Sequence, residues 1–164
     1  MAQANPILKS EKLVLLEDLT AIKELSYFRQ WVCWKYTMRP GQTKPTKPPI
    51  NPHTGELASS TDPATWASFW DAVYAVDPQG MEGIGFVVTL DDPYVVLDLD
   101  NCIEGGQVQP WAKAITHLVN SYTEISPSGQ GLRLFAKGKL SEGRRRKDRF
   151  EIYDTGRYVT VTGH

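Results

Sequence analysis

The stretch Tyr94-Val-Val-Leu-Asp-Leu-Asp100 combines an apolar run with two aspartates, Asp98 and Asp100, spaced two residues apart. Successive side chains of a β-strand point to opposite faces, so residues two apart share a face. In a strand, Leu97 and Leu99 would therefore lie on one face and both carboxylates on the other. Carboxylates this close repel each other unless they share a proton or a cation, and hard oxygen ligands suit Mg²⁺ or Mn²⁺. The stretch predicts a strand that carries two metal ligands; a strand end with solvated acids is the alternative.

Composition indicates an ordinary soluble globular protein. The 164 residues fit a single domain, and the hydrophobic fraction of 41% and charged fraction of 23% are typical of that class. The net charge of −1 means that a polyanion would be bound by a local patch. No apolar run approaches the ~20 residues that span a bilayer, and the N-terminus lacks a signal-peptide layout, so we expect a cytoplasmic protein without a membrane partner. Cys33 and Cys102 lie in apolar surroundings and are predicted to be buried, reduced thiols.

The first half of the chain predicts two helices, a strand and a proline-rich loop. Asp62 and Pro63 are typical of the N-cap and first residue of a helix. The aromatic and aliphatic residues after them recur at helical spacing, which predicts one buried face made of Trp66, Phe69, Trp70, Val73 and Tyr74. The other predicted elements are an apolar segment at Leu13–Leu16, a helix capped by Asp18 with Leu19, Ile22 and Leu25 on one face, a strand at Gln30–Tyr36, a loop over Met38–Pro49 and a turn over Ile50–Gly55.

The second half alternates predicted strands with one helix. The turn residues Asp91-Asp-Pro93 predict that Gly83–Thr89 pairs with Tyr94–Asp100 as an antiparallel hairpin. A helix beginning at Pro110 is predicted to turn Trp111, Ile115, Leu118 and Val119 inward. Further strands are predicted at Tyr122–Ile125, Leu132–Ala136, Phe150–Tyr153 and Tyr158–Thr162. This mixture of hairpins and helices predicts an α+β fold with a mainly antiparallel sheet.

A glycine-serine loop, Ser126-Pro-Ser-Gly-Gln-Gly131, lies between two predicted strands and is followed by an arginine. Its hydroxyls and free backbone N–H groups are typical of an anion-binding concavity, and the glycines allow close approach of the backbone. The guanidinium group can bind phosphate oxygens bidentately. The loop therefore predicts phosphate contacts, with a plain hairpin loop and an exposed arginine as the alternative. The predicted contacts are Ser126, Ser128, Gly129, Gly131 and Arg133.

Two later strands carry polar residues that complete a candidate nucleotide site. Glu151 lies between Phe150 and Ile152, so alternation places it opposite both and lets it join the aspartates at a metal. A solvated strand glutamate is the alternative. Arg157, just before the last strand, offers a second guanidinium group. Carboxylates hold divalent ions, and ions and arginines together neutralise a triphosphate during in-line attack.

Taken in order, these motifs resemble the archaeo-eukaryotic primase superfamily, and most of all its phage and plasmid primase-polymerase branch. The resemblance rests on V-V-L-D-L-D, S-P-S-G-Q-G-L-R, F-E-I-Y and G-R-Y-V-T-V-T-G, and upstream on Gln30–Lys35, Lys47–Pro52 and Ala58–Pro63. It covers roughly residues 20 to 163. The order and spacing of the motifs make the signal specific.

The resemblance implies an RRM-like sheet with an N-terminal αβ module and an active site in the cleft between them. It implies a DNA primase-polymerase, a nucleotidyltransferase that makes DNA or RNA/DNA primers from nucleoside triphosphates on a single-stranded DNA template. Asp98, Asp100 and Glu151 match its acids, which bind two Mg²⁺ or Mn²⁺ ions. The family's phosphate-binding loop matches Ser126, Ser128, Gly129 and Gly131, and Arg133 and Arg157 are further candidate nucleotide contacts. The resemblance also implies that residues 1–164 are one catalytic domain at the N-terminus of a longer replication protein, which acts in the bacterial cytoplasm with a helicase segment or subunit.

One residue departs from the family pattern. The second motif of the family commonly ends in a histidine that touches the incoming phosphates, and Arg133 holds that place here. Arginine binds phosphate but does not exchange protons near neutrality as histidine does. One alternative is therefore a nucleic-acid-binding replication domain without turnover. A second alternative is a metal-dependent nuclease or phosphohydrolase, because paired acids also serve phosphodiester hydrolysis.

Two basic segments are candidates for nucleic-acid binding. Contacts from lysine and arginine to phosphate give salt-dependent affinity without sequence information. Lys44 and Lys47 lie in the proline-rich loop and are candidates for the template or the triphosphate. The run Arg144, Arg145, Arg146 and Lys147 is a candidate for the template, with a solvated loop as the alternative. His53 and His117 are given no role.

Overall fold

The computed structural model describes residues 20–163, with side chains for residues 23–163. Three α-helices, a 3₁₀ turn and eleven strands make up this part of the chain. The helices are α1 (Thr20–Leu25), α2 (Phe69–Ala75) and α3 (Pro110–Val119), and the 3₁₀ turn is Pro63–Thr65. The strands are β1 (Trp31–Trp34), β2 (Pro49–Ile50), β3 (Gly83–Val88), β4 (Tyr94–Leu99), β5 (Ile103–Glu104), β6 (Gln107–Val108), β7 (Tyr122–Ile125), β8 (Leu132–Lys137), β9 (Arg146–Lys147), β10 (Phe150–Tyr153) and β11 (Arg157–Val161).

Two antiparallel sheets organise the fold. The first has four strands in the order β11-β3-β1-β2, and the second has five in the order β7-β8-β4-β10-β9. Strands β5 and β6 form a separate small hairpin. The predicted α+β class with mainly antiparallel strands is confirmed.

The predicted hairpin between β3 and β4 is wrong, because these strands belong to different sheets. Both edges of β3 are already paired, with β1 and β11, and both edges of β4 with β8 and β10. Asp92 in the turn between them is buried and bonds to both sides. Its Oδ1 accepts from the Tyr94 N–H (2.8 Å) and its Oδ2 from the Thr89 N–H (2.8 Å) and Gln30 Nε2 (2.8 Å). The turn therefore passes the chain from one sheet to the other.

The helix predicted to begin at Asp62 begins later, and its inner face differs. Asp62 caps only the 3₁₀ turn, whereas α2 is capped by Ser68 in a capping box with Asp71. Phe69 and Val73 are buried as predicted, with Ala72 and Val76 beside them. Trp66 precedes the helix and donates its indole N–H to the Ser59 carbonyl (2.6 Å). Trp70 (41% exposed) and Tyr74 (69% exposed) are stacked together on the outer face, because Phe69, Ala72, Val73 and Val76 form the face that packs into the core.

The inner face of α3 was also only partly predicted. Ala112 is buried, and Ile115 and Val119 pack beside it against the sheet. Leu118 is 84% exposed and Trp111 lies at the edge of solvent, because both project to the side of that face. At the N-terminus, helix α1 agrees with the prediction and Leu25 is buried. The predictions for Leu13–Leu16, Asp18 and Leu19, and for the side chain of Ile22, concern residues outside the described part of the chain.

The two faces of the five-stranded sheet have different partners. On one face, Leu97 and Leu134 pack with α3 in an apolar core. On the other face, Val96 and its cross-strand partner Phe135 pack into a second core with the four-stranded sheet and α2. Two residues further along β4, this same face becomes polar at Asp98. The polar end lies where β11, the edge strand of the four-stranded sheet, meets the five-stranded sheet.

Two further predictions concern the cysteines and the membrane. Cys33 and Cys102 are buried free thiols, as predicted, and burial raises the pKa of Cys33 to about 12. Among the described helices, none has the length and apolar character needed to cross a membrane.

Candidate active site

Five charged residues form a row across the five-stranded sheet, one on each strand. In register they are Glu124 on β7, Arg133 on β8, Asp98 on β4, Glu151 on β10 and Arg146 on β9. Directly opposed residues in an antiparallel sheet have Cβ atoms about 4.5–5.5 Å apart, so each side chain reaches its neighbours. We call this set the charged row. It places two acids from distant parts of the sequence, Asp98 and Glu151, side by side.

Three members of the charged row, Arg133, Asp98 and Glu151, line a pocket of about 390 Å³. Asp98, Asp100 and Glu151, the three acids singled out from sequence, all line it. The other lining residues are Thr46, Lys47, Ser126, Ser128, Arg133, Tyr153, Arg157, Tyr158, Val159 and Thr160. The acids, the serine loop, two arginines and a lysine therefore share one concavity between the two sheets.

The carboxylates interact with one another and with basic partners. Asp98 Oδ2 lies 3.1 Å from Arg133 Nη2, and Glu151 Oε1 lies 2.9 Å from Arg146 Nε. Glu151 Oε2 accepts a hydrogen bond from the Tyr153 hydroxyl. Burial, and then the negative charges of Asp98 and Glu151, raise the pKa of Asp100 above its usual value. The three acids therefore form one repulsive group.

The carboxylate oxygens of this group are suitable ligands for a divalent ion, although the three side chains are not grouped around a single point. Within residues 23–163, no three Asp, Glu, His or Cys side chains are placed together as a ready metal site. Asp98 and Glu151 instead face arginines. The Arg146 side chain is 68% exposed, and ion pairs with so exposed a partner contribute little stability, so Glu151 can exchange this partner readily. Hard carboxylate oxygens that repel one another are what Mg²⁺ and Mn²⁺ bind.

Arg133 is built into the protein more deeply than its sequence position suggested. It is 6% exposed, so the alternative of an exposed arginine is wrong. Its Nη1 donates to the Thr160 carbonyl (2.7 Å) and to the Thr160 hydroxyl, and its Nη2 donates to Asp98. Arg133 thus joins the polar face of one sheet to the edge strand of the other. Its predicted contact with phosphate stays a prediction.

The Ser126–Gly131 loop connects β7 and β8 as predicted, but most of its backbone N–H groups are already hydrogen-bonded within the loop. Those of Gly129, Gln130 and Gly131 donate to the Ser126 carbonyl, the Ser128 hydroxyl and the Ser126 hydroxyl respectively. Gly129 takes a left-handed φ of 73°, which favours glycine. The loop therefore offers the hydroxyls of Ser126 and Ser128, 3.0 Å apart, toward the pocket.

The opposite wall carries Lys47 and Arg157. The Tyr158 hydroxyl donates to the Lys47 carbonyl, which ties the proline-rich loop to β11. The pKa of Lys47 is lowered from its usual value. Burial is the main cause and the charge of Arg133 adds to it, while the charges of Asp98 and Asp100 act in the opposite direction. The Arg157 guanidinium lies 4.8 Å from the centre of the Tyr153 ring. Lys44 is exposed in the loop, outside the set of pocket-lining residues.

The basic run Arg144–Lys147 divides between two surfaces. Arg146 pairs with Glu151 beside the pocket, and Arg145 lies 3.9 Å from Asp154. Lys147 borders a second cavity of about 500 Å³ that Trp111, Asp148, Arg149 and Phe150 also line. Arg144 is exposed.

Sequence reasoning assigned no contact to Tyr153, Thr160 or Glu124, which the structure places in or beside the site. Tyr153 is two residues after Glu151 and shares its face, so strand alternation could have indicated it. Thr160 lies on the last predicted strand, but its contact with Arg133 depends on how two sheets meet. Glu124 becomes significant only once β7 is known to pair with β8 in this register.

Comparison with known proteins gives one informative similarity. No family model matches the chain. The chain is 41% identical over 157 residues to a protein of Nitratiruptor phage NrS-1 named DNA primase-polymerase. The match covers 91% of this chain and 21% of the phage protein, so the chain spans about a fifth of its relative's length. Over nearly all of its own length, the chain is thus similar to part of a phage DNA primase-polymerase.

Proposed function

We propose that this domain is a metal-dependent nucleotidyltransferase that makes DNA or primers from nucleoside triphosphates on a single-stranded template. The observation that carries the proposal is the placement of Asp98, Asp100 and Glu151 in one pocket with the Ser126–Gly131 loop and Arg157. The similarity to a phage protein named DNA primase-polymerase supports the same reaction class. The activity of a whole primase-polymerase is proposed here for a chain that spans only part of its relative.

Asp98, Asp100 and Glu151 are the proposed ligands of two Mg²⁺ or Mn²⁺ ions. Such ions, when bound, lower the pKa of the attacking hydroxyl and neutralise the triphosphate. The chain's own residues have separate tasks. Arg133 holds Asp98 from one side, and the Tyr153 hydroxyl holds Glu151 from the other, so the two carboxylates start in defined positions.

The incoming triphosphate is proposed to lie against the serine loop and the cationic wall. Ser126 and Ser128 offer hydroxyl donors, Gly129 and Gly131 set the shape of the loop, and Arg157 and Lys47 supply positive charge from across the pocket. Arg133 is also a proposed nucleotide contact, because it lines the same pocket as the serine loop. A charged donor on a phosphate oxygen is stronger than a neutral one, so Arg157 and Lys47 should dominate the affinity.

The template is proposed to follow the basic segments outside the pocket, namely Lys44, Arg144, Arg145 and Lys147, with Arg146 at the pocket edge. Contacts of this kind give affinity that falls steeply with salt. A helicase segment or subunit is the proposed partner.

A template-directed incorporation assay tests the proposal. The domain is incubated with primed and unprimed single-stranded DNA, labelled nucleotides and Mg²⁺ or Mn²⁺, beside the double variant Asp98→Ala/Asp100→Ala. We expect chain growth that the double variant and chelation abolish. Loss of label from the strand instead of growth would indicate a nuclease. If both this domain and a longer form of the protein bind DNA but incorporate no nucleotide, the domain binds nucleic acid without turnover.

A further inference from the structure

Glu124 is a buried acid that the proposed chemistry leaves unexplained. It is 1% exposed, and its Oε2 accepts three hydrogen bonds, from the N–H groups of Thr162 (3.0 Å) and Gly163 (3.2 Å) and from the Tyr122 hydroxyl (2.9 Å). Its Oε1 is equally buried and has no hydrogen-bond partner in the described part of the chain. Leaving a buried carboxylate oxygen unpaired is costly, so this atom indicates an interaction still to be identified.

The complementary atom is on the facing residue. Arg133 Nε is buried and likewise lacks a hydrogen-bond partner among residues 20–163. Glu124 and Arg133 are directly opposed in the β7–β8 register. The unpaired atoms are one acceptor and one donor, on side chains of opposite charge on the same face of neighbouring strands. The two atoms make no direct hydrogen bond within the described residues, and one bridging water, or a small rotation of either side chain, would satisfy both.

We propose that Glu124 is a positioning residue of the active site, which serves as the second counter-charge of Arg133 and thereby keeps Asp98 available to a cation. The inference rests on the proposed function of Asp98. Burial raises the pKa of Glu124, and the charge of Arg133 and the three hydrogen bonds to Oε2 act against this rise. In its ionised form, Glu124 faces the guanidinium from one side of the charged row and Asp98 faces it from the other. Without that partner, Arg133 neutralises Asp98 alone, and Asp98 binds a divalent ion less well.

The same acid also anchors the strand that forms the far wall of the pocket. Glu124 binds the backbone just after β11, and Arg133 binds Thr160 within β11. β11 carries Arg157 and Tyr158, which line the pocket. Glu124 therefore acts on both walls through short contacts, although it is absent from the pocket lining.

Binding of Mn²⁺ to the free protein, followed by electron paramagnetic resonance, tests the inference without relying on turnover. Glu124→Gln keeps the size of the side chain and removes its charge. We expect the affinity for Mn²⁺ to fall about tenfold, because Arg133, 3.1 Å from Asp98 in a partly buried setting, would then offset the charge of Asp98 alone. Tyr122→Phe is the matched control: it removes one hydrogen bond to Oε2 but leaves the charge, so it should lower the melting temperature without changing Mn²⁺ affinity.

A double-variant cycle shows whether Glu124 acts through Arg133. In an Arg133→Met background, Glu124→Gln should change Mn²⁺ affinity by less than about twofold, and the double variant should melt at a higher temperature than Arg133→Met alone. Equal Mn²⁺ affinity of wild type and Glu124→Gln, or additive effects in the cycle, would overturn the inference. If the wild type neither binds Mn²⁺ nor incorporates nucleotide, the proposed function fails, and with it the role at Asp98, while the melting temperatures still decide whether the two buried charges are paired.

Discussion

Replacing Arg133 by methionine should destabilise the domain strongly. The substitution keeps an unbranched apolar stem and removes the guanidinium of a residue that is 6% exposed. Asp98 loses its partner at 3.1 Å, Thr160 loses its donors, and the buried Glu124 is left without a counter-charge. Removing one member of a buried ion pair costs roughly 3–5 kcal/mol. Because the Asp98 side chain keeps 24% of its surface exposed, we expect the lower end, about 3 kcal/mol of unfolding free energy.

Urea denaturation followed by tryptophan fluorescence measures this loss. If the free energy of unfolding falls with urea concentration at the same slope in the wild type and in Arg133→Met, the two proteins expose the same surface on unfolding and their stabilities can be compared directly. For a chain of this size, about 3 kcal/mol corresponds to a fall of about 6–12 °C in melting temperature. Arg157→Met is the control, since Arg157 is exposed and stacks on Tyr153, an interaction of about 0.5–1 kcal/mol. A loss for Arg133→Met no larger than for Arg157→Met would refute the assignment of Arg133 as a buried link between the sheets.

Two further substitutions probe the pocket. A Cβ at position 131 would lie 2.9 Å from the Leu99 carbonyl oxygen, so Gly131→Ala should cost about 1–3 kcal/mol in urea denaturation and reduce incorporation, whereas no change would mean that the loop moves freely. Asp100→Asn should be more stable than the wild type at pH 7 without divalent ions, because the raised pKa of Asp100 means that its ionised form opposes folding. This advantage should shrink as the pH falls through the raised pKa and vanish below about 3.8, and denaturation across that range checks the sign.

The face of each strand could be predicted from sequence alone. Alternation placed Asp98 opposite its leucine neighbours and Glu151 opposite Phe150 and Ile152, and the structure has both acids on one face. The position of the Ser126–Gly131 loop was also predicted correctly from its turn residues. Both predictions succeed because strand alternation and turn preference depend only on residues that are close in the sequence.

Pairing between distant strands could not be predicted in the same way. The Asp91-Asp-Pro93 turn is compatible with a hairpin, and only the occupied edges of β3 and β4 exclude one. Likewise, helical spacing groups Trp70 with Phe69 and Val73, and only the packing of α2 into the core shows that Trp70 lies outside the buried face. Glu124 resembles any strand glutamate until its register with Arg133 is known. In each case the deciding contact joins residues that are far apart in the sequence.

Counting the divalent ions bound at the acids tests the central claim most directly. Mn²⁺ titration by electron paramagnetic resonance, with a non-reactive triphosphate analogue present, should show two ions per wild-type chain. Asp98→Ala/Asp100→Ala should lose both ions, and Glu151→Gln should lose one or weaken both. Mn²⁺ binding that is unchanged in these variants, or absent from a folded wild type, would contradict the account.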